Sequence, residues 1–219
     1  ENPRYVFNVG SPDIEFASLV KKRLKKDFLN KFGTGYNPNL SEPYLVVMLH
    51  PVTTEVENRA HMETALQAVD EANMPAVWFW PNSDAGTAEM AKAIRVYREL
   101  GQLKNNKIKF ITDLLPEDFI ALLRGAKAMV GNSSAGIKEC SFLGIPVVNI
   151  GSRQNMRLRG PNVMDAPYDL SAIRQAIAKQ MAHGPYKSSN IYHQPNTSRR
   201  IVEILSKIKV KPQKEFYHG

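Results

Sequence analysis

A short turn of small polar residues, residues 131–136 (GNSSAG), carries the clearest chemical signal in this sequence of 219 residues. It follows a buried apolar run and precedes a predicted helix, so several backbone N–H groups at the helix start lack an intrahelical partner. The helix dipole adds partial positive charge there, and small side chains let a phosphate come close. Ser133 and Ser134 are therefore candidate phosphate ligands. A serine that merely caps the helix is an equally good interpretation.

Glu139 lies six positions after Ser133, which predicts a place in the second turn of that helix. A carboxylate there could accept hydrogen bonds from the two hydroxyls of a ribose whose phosphates occupy the turn. The turn and the carboxylate together indicate a site for a nucleoside diphosphate.

Further polar residues come directly after other apolar runs. His50 could donate to a phosphate or act as an acid or base, with a packed loop histidine as the alternative. Asn82 and Asp84 lie in a loop where both residue types are also ordinary turn formers. Arg153 suits a phosphate or a nucleotide carbonyl, and a plain surface arginine is the alternative. Each of these residues is a candidate ligand because it follows the end of a predicted strand.

That order alternates strands with helices. Continuous apolar runs are typical of strands buried on both faces, and the regular alternation predicts a doubly wound parallel sheet, a Rossmann-like α/β fold. The predicted strands cover residues 4–9, 44–49, 76–80, 108–111, 128–130 and 145–150, with a short one at 162–163. The predicted helices cover residues 14–32, 54–71, 87–100, 116–124, 170–182 and 197–207, besides the one after the turn. A capping box of Thr54 and Glu57 marks the start of the second helix.

In such sheets ligands bind beyond the carboxyl ends of the strands. The polar residues named above all fall at those ends, so they are expected to meet at one edge of the sheet. A nucleoside diphosphate is the ligand that this combination favours.

Composition narrows the classes of function. Hydrophobic residues make up 43% of the chain and charged residues 23%, as in globular proteins, and no apolar run approaches the roughly 18 residues of a membrane span. The formal charge of +8 comes largely from lysines resembling a solvated helix face, so no nucleic-acid partner is expected. The one cysteine, Cys140, is expected to pack on its helix. It fits a reducing, cytoplasmic location.

Motifs for other chemistries are missing from the sequence. There is no Walker motif, no dinucleotide-binding GxGxxG and no GxSxG of a serine hydrolase. Spacings typical of metal ligands are missing as well. We therefore expect neither a metal nor a cofactor.

Four motifs in this order resemble the UDP-N-acetylglucosamine 2-epimerases, specifically the hydrolysing branch of sialic acid and related nonulosonic acid synthesis. They are residues 50–55 (HPVTTE), 81–86 (PNSDAG), 131–139 (GNSSAGIKE) and 144–154 (GIPVVNIGSRQ). The non-hydrolysing branch usually differs at the first two. Each motif alone is weak, but four in register over about 100 residues are specific.

The resemblance implies a two-domain fold of the glycosyltransferase-B type with the UDP-sugar between the domains. Residues 1–219 would form the carboxyl-terminal UDP-binding domain, with 1–15 crossing over from a missing amino-terminal domain and 197–219 forming a terminal helix and tail. The family pattern implies UDP contacts for seven residues: His50, Asn82, Leu114, Ser133, Ser134, Glu139 and Arg153. Leu114 would face the uracil through its backbone.

The implied chemistry is anti elimination of UDP to a 2-acetamidoglucal, followed by addition of water to give N-acetylmannosamine. The carboxylates that transfer protons in this family lie in the domain this chain lacks, so no catalytic residue is expected here. Residues 192–196 (YHQPN) depart from a family pattern that borders the nucleotide, which leaves a UDP-diacetamido sugar open as substrate. A non-hydrolysing epimerase or a glycosyltransferase half are further alternatives. Homo-oligomers are common in the family.

Overall fold

The computed structural model describes residues 2–209 and Gln213. Seven strands make one sheet: β1 Thr34–Gly35, β2 Leu45–Met48, β3 Ala76–Phe79, β4 Ile108–Ile111, β5 Ala128–Gly131, β6 Val147–Ile150 and β7 Val163–Ala166. The helices are α1 Pro12–Leu19, α2 Asn58–Glu71, α3 Thr87–Glu99, α4 Pro116–Gly125, α5 Ser134–Ile137, α6 Glu139–Leu143, α7 Leu170–His183 and α8 Thr197–Leu205. Short 3-10 turns occur at Pro3–Tyr5 and Phe28–Lys31.

The strand order is β1-β4-β3-β2-β5-β6-β7. Strands β2 to β7 pair in parallel, whereas β1 pairs antiparallel with β4 at one edge. Strand β3 pairs with one side of β2, and β4 pairs with β3. Strand β5 then pairs with the other side of β2. The order therefore reverses between β2 and β5, and ligands of such sheets bind in the crevice above that reversal. The predicted Rossmann-like fold is confirmed, with β1 as an unpredicted addition.

The sheet is buried on both faces, as its continuous apolar runs predicted. Along β2, Leu45 and Val47 join a core with Trp78 and the inner faces of α2, α3 and α7. Val46 points the other way, into a second core with side chains of α4 and α6. Cys140 lies in that second core and is fully buried, as predicted. Burial raises the pKa of its thiol well above the ordinary value, so it packs as an apolar group.

The amino-terminal stretch differs from the prediction. Residues 4–9 form no strand, and Tyr5, Val6 and Phe7 remain 47–62% exposed because no described strand covers them. The helix predicted over residues 14–32 ends at Leu19. Arg124 of α4 explains the stop, since its guanidinium donates to the carbonyls of Ala17 and Val20 at the end of α1. The lysine-rich residues after it are irregular chain.

Two helix starts also differ from the prediction. The capping box of Thr54 and Glu57 is wrong: α2 begins at Asn58, whose side chain accepts from the Val52 N–H and donates to the carbonyls of Val52 and Glu55. The single helix expected after residues 131–136 is broken at Lys138 into α5 and α6. Glu139 therefore opens a second helix and does not lie in the second turn of the first.

At the carboxyl end α8 follows the prediction closely, while most of the tail predicted to reach residue 219 lies outside the described residues. Thr197 donates through Oγ1 to the carbonyl of Val9 (2.9 Å), and the N–H of Ser11 donates to the carbonyl of Tyr192 (2.9 Å). The start of the chain and the loop before α8 are thus joined. Within residues 2–209 no helix is long and apolar enough to cross a bilayer.

Candidate functional site

Asn132 and His50 join the two strand ends at the reversal of the sheet. The N–H of His50 donates to Oδ1 of Asn132 (2.8 Å), and Nδ2 of Asn132 donates back to the carbonyl of His50 (2.8 Å). Asn132 is fully buried and follows β5, and His50 is 2% exposed just beyond β2. The Asn132 side chain is the hydrogen-bond partner of backbone groups of His50 that lie beyond the end of β2. It therefore fixes the relative positions of the two chain segments that border the crevice.

His50 is held as a neutral ring. Burial, together with the nearby Arg153 guanidinium, lowers the pKa of His50 to about 4, and Asp84 partly opposes the shift. The N–H of Asn82 donates to Nδ1 of His50 (3.2 Å). An acceptor Nδ1 leaves the ring hydrogen on Nε2. His50 can therefore offer a neutral N–H donor to a ligand.

Arg153 places a positive charge at this edge of the sheet. Its guanidinium donates to the Asn132 carbonyl (3.4 Å) and lies 3.5 Å from a carboxylate oxygen of Asp84, with its side chain 29% exposed. The neighbouring Gln154 is buried and donates to the same carbonyl (2.8 Å). The long, partly exposed contact to Asp84 is weak and can be exchanged for a stronger anion. Arg153 is thus placed to receive a phosphate beside the turn.

The turn before α5 needs glycine at its first position. Gly131 has a φ of +135°, and a Cβ there would lie 2.0 Å from the carbonyl oxygen of Met48 on the adjacent strand. Ser133 is the N-cap of α5, and its Oγ accepts from the Ala135 N–H (3.3 Å). Ser133 therefore has the capping role that the sequence analysis left open. Its hydroxyl hydrogen and the half-buried Ser134 side chain remain compatible with a phosphate contact.

Glu139 has an unsatisfied carboxylate. Its Oε2 is buried and has no hydrogen-bond partner among the described residues. Burial raises the pKa of this carboxyl, Asp13 adds to the rise, and its own backbone N–H and Lys138 oppose it. A buried acceptor without a donor is costly, so a ligand with hydroxyl groups would relieve it.

The remaining candidates differ in placement. Asn82 is exposed, and its contact with His50 is made by the backbone N–H. The Leu114 side chain is 8% exposed and packs in the second core, so only its backbone could face a ligand. Hydrogen bonds therefore link Asn82 to His50, and both His50 and Arg153 to Asn132, whereas among the described residues Glu139 and Leu114 make no hydrogen bond to these.

Sequence analysis missed a group next to this edge. Tyr168, just beyond β7, stacks on His61 of α2 with ring centroids 3.6 Å apart and planes at 3°. Nδ2 of Asn132 lies 3.4 Å from the Tyr168 hydroxyl. The His61 side chain is only 14% exposed. A tyrosine just beyond a short strand was the only available signal. Within the described part of the chain no group of three or more His, Cys, Asp or Glu side chains is arranged to hold a metal.

Comparison with known proteins gives a consistent picture. A family model described as UDP-N-acetylglucosamine 2-epimerase matches residues 1–206. The chain is 29% identical over 214 residues to a UDP-N,N'-diacetylbacillosamine 2-epimerase (hydrolyzing) of Legionella pneumophila, which covers 97% of this chain and 54% of the relative. It is 31% identical over 183 residues to a GDP/UDP-N,N'-diacetylbacillosamine 2-epimerase (hydrolyzing) of Campylobacter jejuni, covering 82% and 45%. The chain spans about half the length of the curated relatives it matches.

A solved structure shares the fold. The UDP-GlcNAc 2-epimerase of Methanocaldococcus jannaschii, described in complex with UDP-GlcNAc and UDP, superposes with a TM-score of 0.62 at 15% identity. The match covers 93% of this chain and 55% of that one. At this identity the match shows that the two proteins share the arrangement of strands and helices.

Proposed function

This chain belongs to the UDP-N-acetylglucosamine 2-epimerase family, and we propose that it is the UDP-binding domain of a hydrolysing 2-epimerase. In this proposal UDP lies in the crevice above β2 and β5. The Ser133 and Ser134 turn and Arg153 bind the diphosphate, His50 adds a neutral donor, Glu139 binds the ribose hydroxyls, and the backbone near Leu114 borders the uracil. Asn82 acts by orienting His50.

The observation that carries this proposal is the buried, unpartnered Oε2 of Glu139. A ribose presents two adjacent hydroxyl donors, either of which could donate to this unsatisfied carboxylate oxygen. The raised pKa of this carboxyl has a related origin, because burial disfavours the charge by more than the backbone N–H of Glu139 and the nearby Lys138 favour it. A ligand that donates to Glu139 restores the carboxylate, so binding and ionisation are coupled.

The chemical role proposed for this domain is to stabilise UDP as a leaving group. Breaking the bond between the sugar and the diphosphate places negative charge on the diphosphate oxygens, and preorganised donors lower the barrier by meeting that charge. Arg153 and the N–H of neutral His50 are the groups proposed for this task. The base that removes the C2 proton belongs, in this proposal, to a half of the protein not contained in the chain, so the chain alone is inactive.

The proposed outcome of the reaction is hydrolysis, giving N-acetylmannosamine for sialic or related nonulosonic acid synthesis. Support comes from the two relatives whose names include the word hydrolyzing. Those names also favour a second candidate, a UDP-diacetamido sugar as substrate. A cytoplasmic, homo-oligomeric enzyme remains a prediction from the resemblance.

The test is calorimetric titration of this chain with UDP, with GDP as the base control. Wild-type chain should bind UDP, and Glu139→Ala should lose the charge-assisted bond to ribose, about 1.5–3 kcal/mol or roughly 10- to 150-fold in affinity. No UDP binding at millimolar concentration, or equal binding by Glu139→Ala, contradicts the assignment. Joining the chain to the amino-terminal half of a relative and measuring UDP release from UDP-GlcNAc and from a UDP-diacetamido sugar would then separate the two substrates.

A further inference from the structure

The stacked pair of His61 and Tyr168 lies between the two loops that carry the proposed diphosphate ligands. On one side, the Tyr168 hydroxyl lies 3.4 Å from Nδ2 of Asn132, the residue that precedes the serine turn. On the other side, Nδ1 of His61 lies 3.5 Å from Oε2 of Glu55. Neither His61 nor Tyr168 was given a role in the site described above.

Glu55 continues the chain of contacts to the loop after β6. Its other oxygen, Oε1, accepts from the Ser152 hydroxyl (2.6 Å), and Ser152 immediately precedes Arg153. Oε2 of Glu55 and Nδ1 of His61 are both buried and lack hydrogen bonds of good geometry. The Glu55 carboxylate thus lies between His61 of α2 and Ser152 of the loop after β6.

The same loop is shaped by the tyrosine ring. Gly151 has a φ of +72°, and a Cβ at this position would lie 2.3 Å from the Tyr168 ring. The loop thus passes directly over Tyr168, which in turn rests on His61. Two separate contacts, one from Glu55 and one from Tyr168, hold the loop that ends at Arg153.

We propose that Glu55, His61 and Tyr168 form a positioning unit that aligns the Arg153 loop and the Asn132 turn for the diphosphate of the ligand. These three residues touch no ligand atom in this proposal; they act through Ser152, Gly151 and Asn132. The inference rests on the proposed function, because the diphosphate is the group it aligns the loops for.

The experiment compares Glu55→Ala with Glu57→Ala in this chain. Glu57 is the matched control: it lies 3.8 Å from the opposite ring nitrogen of His61, but its side chain is 75% exposed and reaches neither loop. Glu55→Ala should weaken UDP binding about 3- to 10-fold in calorimetry, the effect of one lost hydrogen bond, while Glu57→Ala binds like wild type. Tyr168→Phe keeps the ring that stacks on His61 and removes only the hydroxyl group near Asn132. It should weaken UDP binding by a similar factor, and it replaces Glu55→Ala as the test if that variant folds poorly.

A double-mutant cycle with Arg153→Ala distinguishes positioning from a general loss of structure. If Glu55 acts through the Arg153 loop, Glu55→Ala should have little further effect once the Arg153 side chain is gone. Fully additive effects would overturn the positioning role. Amide hydrogen exchange gives a second readout without ligand: Glu55→Ala should speed exchange in residues 151–155 and leave α7 unchanged.

The outcomes separate the two proposals. If Arg153→Ala weakens UDP binding but Glu55→Ala and Tyr168→Phe bind like wild type, the positioning unit is wrong and the UDP site stands. If wild-type chain does not bind UDP, both are wrong for this chain. Unchanged exchange in residues 151–155 also counts against the unit, whatever the affinity.

Discussion

Replacing Glu139 by glutamine should make the protein more stable and a weaker binder of UDP. Glutamine has nearly the same shape as glutamate but carries no charge, so the substitution isolates the charge of the buried carboxylate. The two effects have one cause, because Oε2 of Glu139 is buried without a donor in the described part of the chain. The unsatisfied carboxylate destabilises the free protein, and in the proposed function the ribose of UDP supplies its missing donor.

The loss of affinity can be worked out from hydrogen-bond energies. A bond to a charged acceptor contributes about 1.5–3 kcal/mol and a bond to a neutral acceptor about 0.5–1.5 kcal/mol. Glutamine at position 139 keeps an acceptor oxygen but loses the charge, so Glu139→Gln should cost about 1–1.5 kcal/mol for one hydroxyl, or roughly 5- to 12-fold in affinity.

The gain in stability has a defined pH dependence. Burial raises the pKa of Glu139 in the folded chain, so the folded state binds more protons than the unfolded state between the two pKa values. At pH values above that window the buried charge is fully formed and destabilises the wild type. The advantage of Glu139→Gln should therefore be largest at neutral pH and should shrink as pH falls through the raised pKa.

The assay combines urea unfolding of the free proteins at several pH values with calorimetric titration of UDP. Wild-type affinity for UDP should fall as Glu139 becomes protonated, whereas the glutamine variant should show a flatter dependence. A variant that is less stable than wild type at neutral pH would refute the reasoning, since it would mean that the carboxylate has protein partners. Unchanged UDP affinity in a more stable variant would show that the unsatisfied carboxylate serves another ligand.

Three further predictions concern the edge of the sheet. Burial lowers the pKa of His50 to about 4, so only the unfolded chain takes up this proton between about pH 6.5 and 4. The free energy of unfolding should therefore fall by roughly 3 kcal/mol as the pH is lowered across that window. In urea titrations His50→Gln should remove this part of the pH profile. Asn132→Ala leaves the N–H and carbonyl of His50 without partners, which should lower the free energy of unfolding by about 1–3 kcal/mol for each in urea titrations. Gly131→Ala would place Cβ 2.0 Å from the carbonyl oxygen of Met48 and should abolish stable folding. Gly101 also has a positive φ, but a Cβ there would meet nothing within 4 Å, so Gly101→Ala should cost only about 1–2 kcal/mol of stability. Similar melting temperatures for the two variants would contradict this account.

Much of the fold could be predicted because apolar runs report burial directly. Strand β4 and the start of α4 match their predictions, and α3 and α7 do so within a residue. Where the prediction was wrong, a side chain that the local pattern did not single out decides the outcome. Arg124 ends α1 by donating to its last carbonyls, and Asn58 closes the loop before α2 in place of the capping box. Arg124 lies more than 100 residues from α1 in the sequence, whereas Asn58 directly follows Glu57 and takes over the capping of the loop locally.

The sequence by itself determined which residues reach the ligand edge, because in a parallel sheet each strand must end there and the polar residues follow the strand ends. It also determined the resemblance, because the motifs that carry it are contiguous. Only the tertiary structure decided the state of those residues. The neutral ring of His50 and the unsatisfied carboxylate of Glu139 depend on burial by segments far away in the chain. The stack of Tyr168 on His61 requires β7 and α2, more than 90 residues apart, to meet. Desolvation and contact between distant segments exist only after folding, so no local pattern in the sequence could have revealed them.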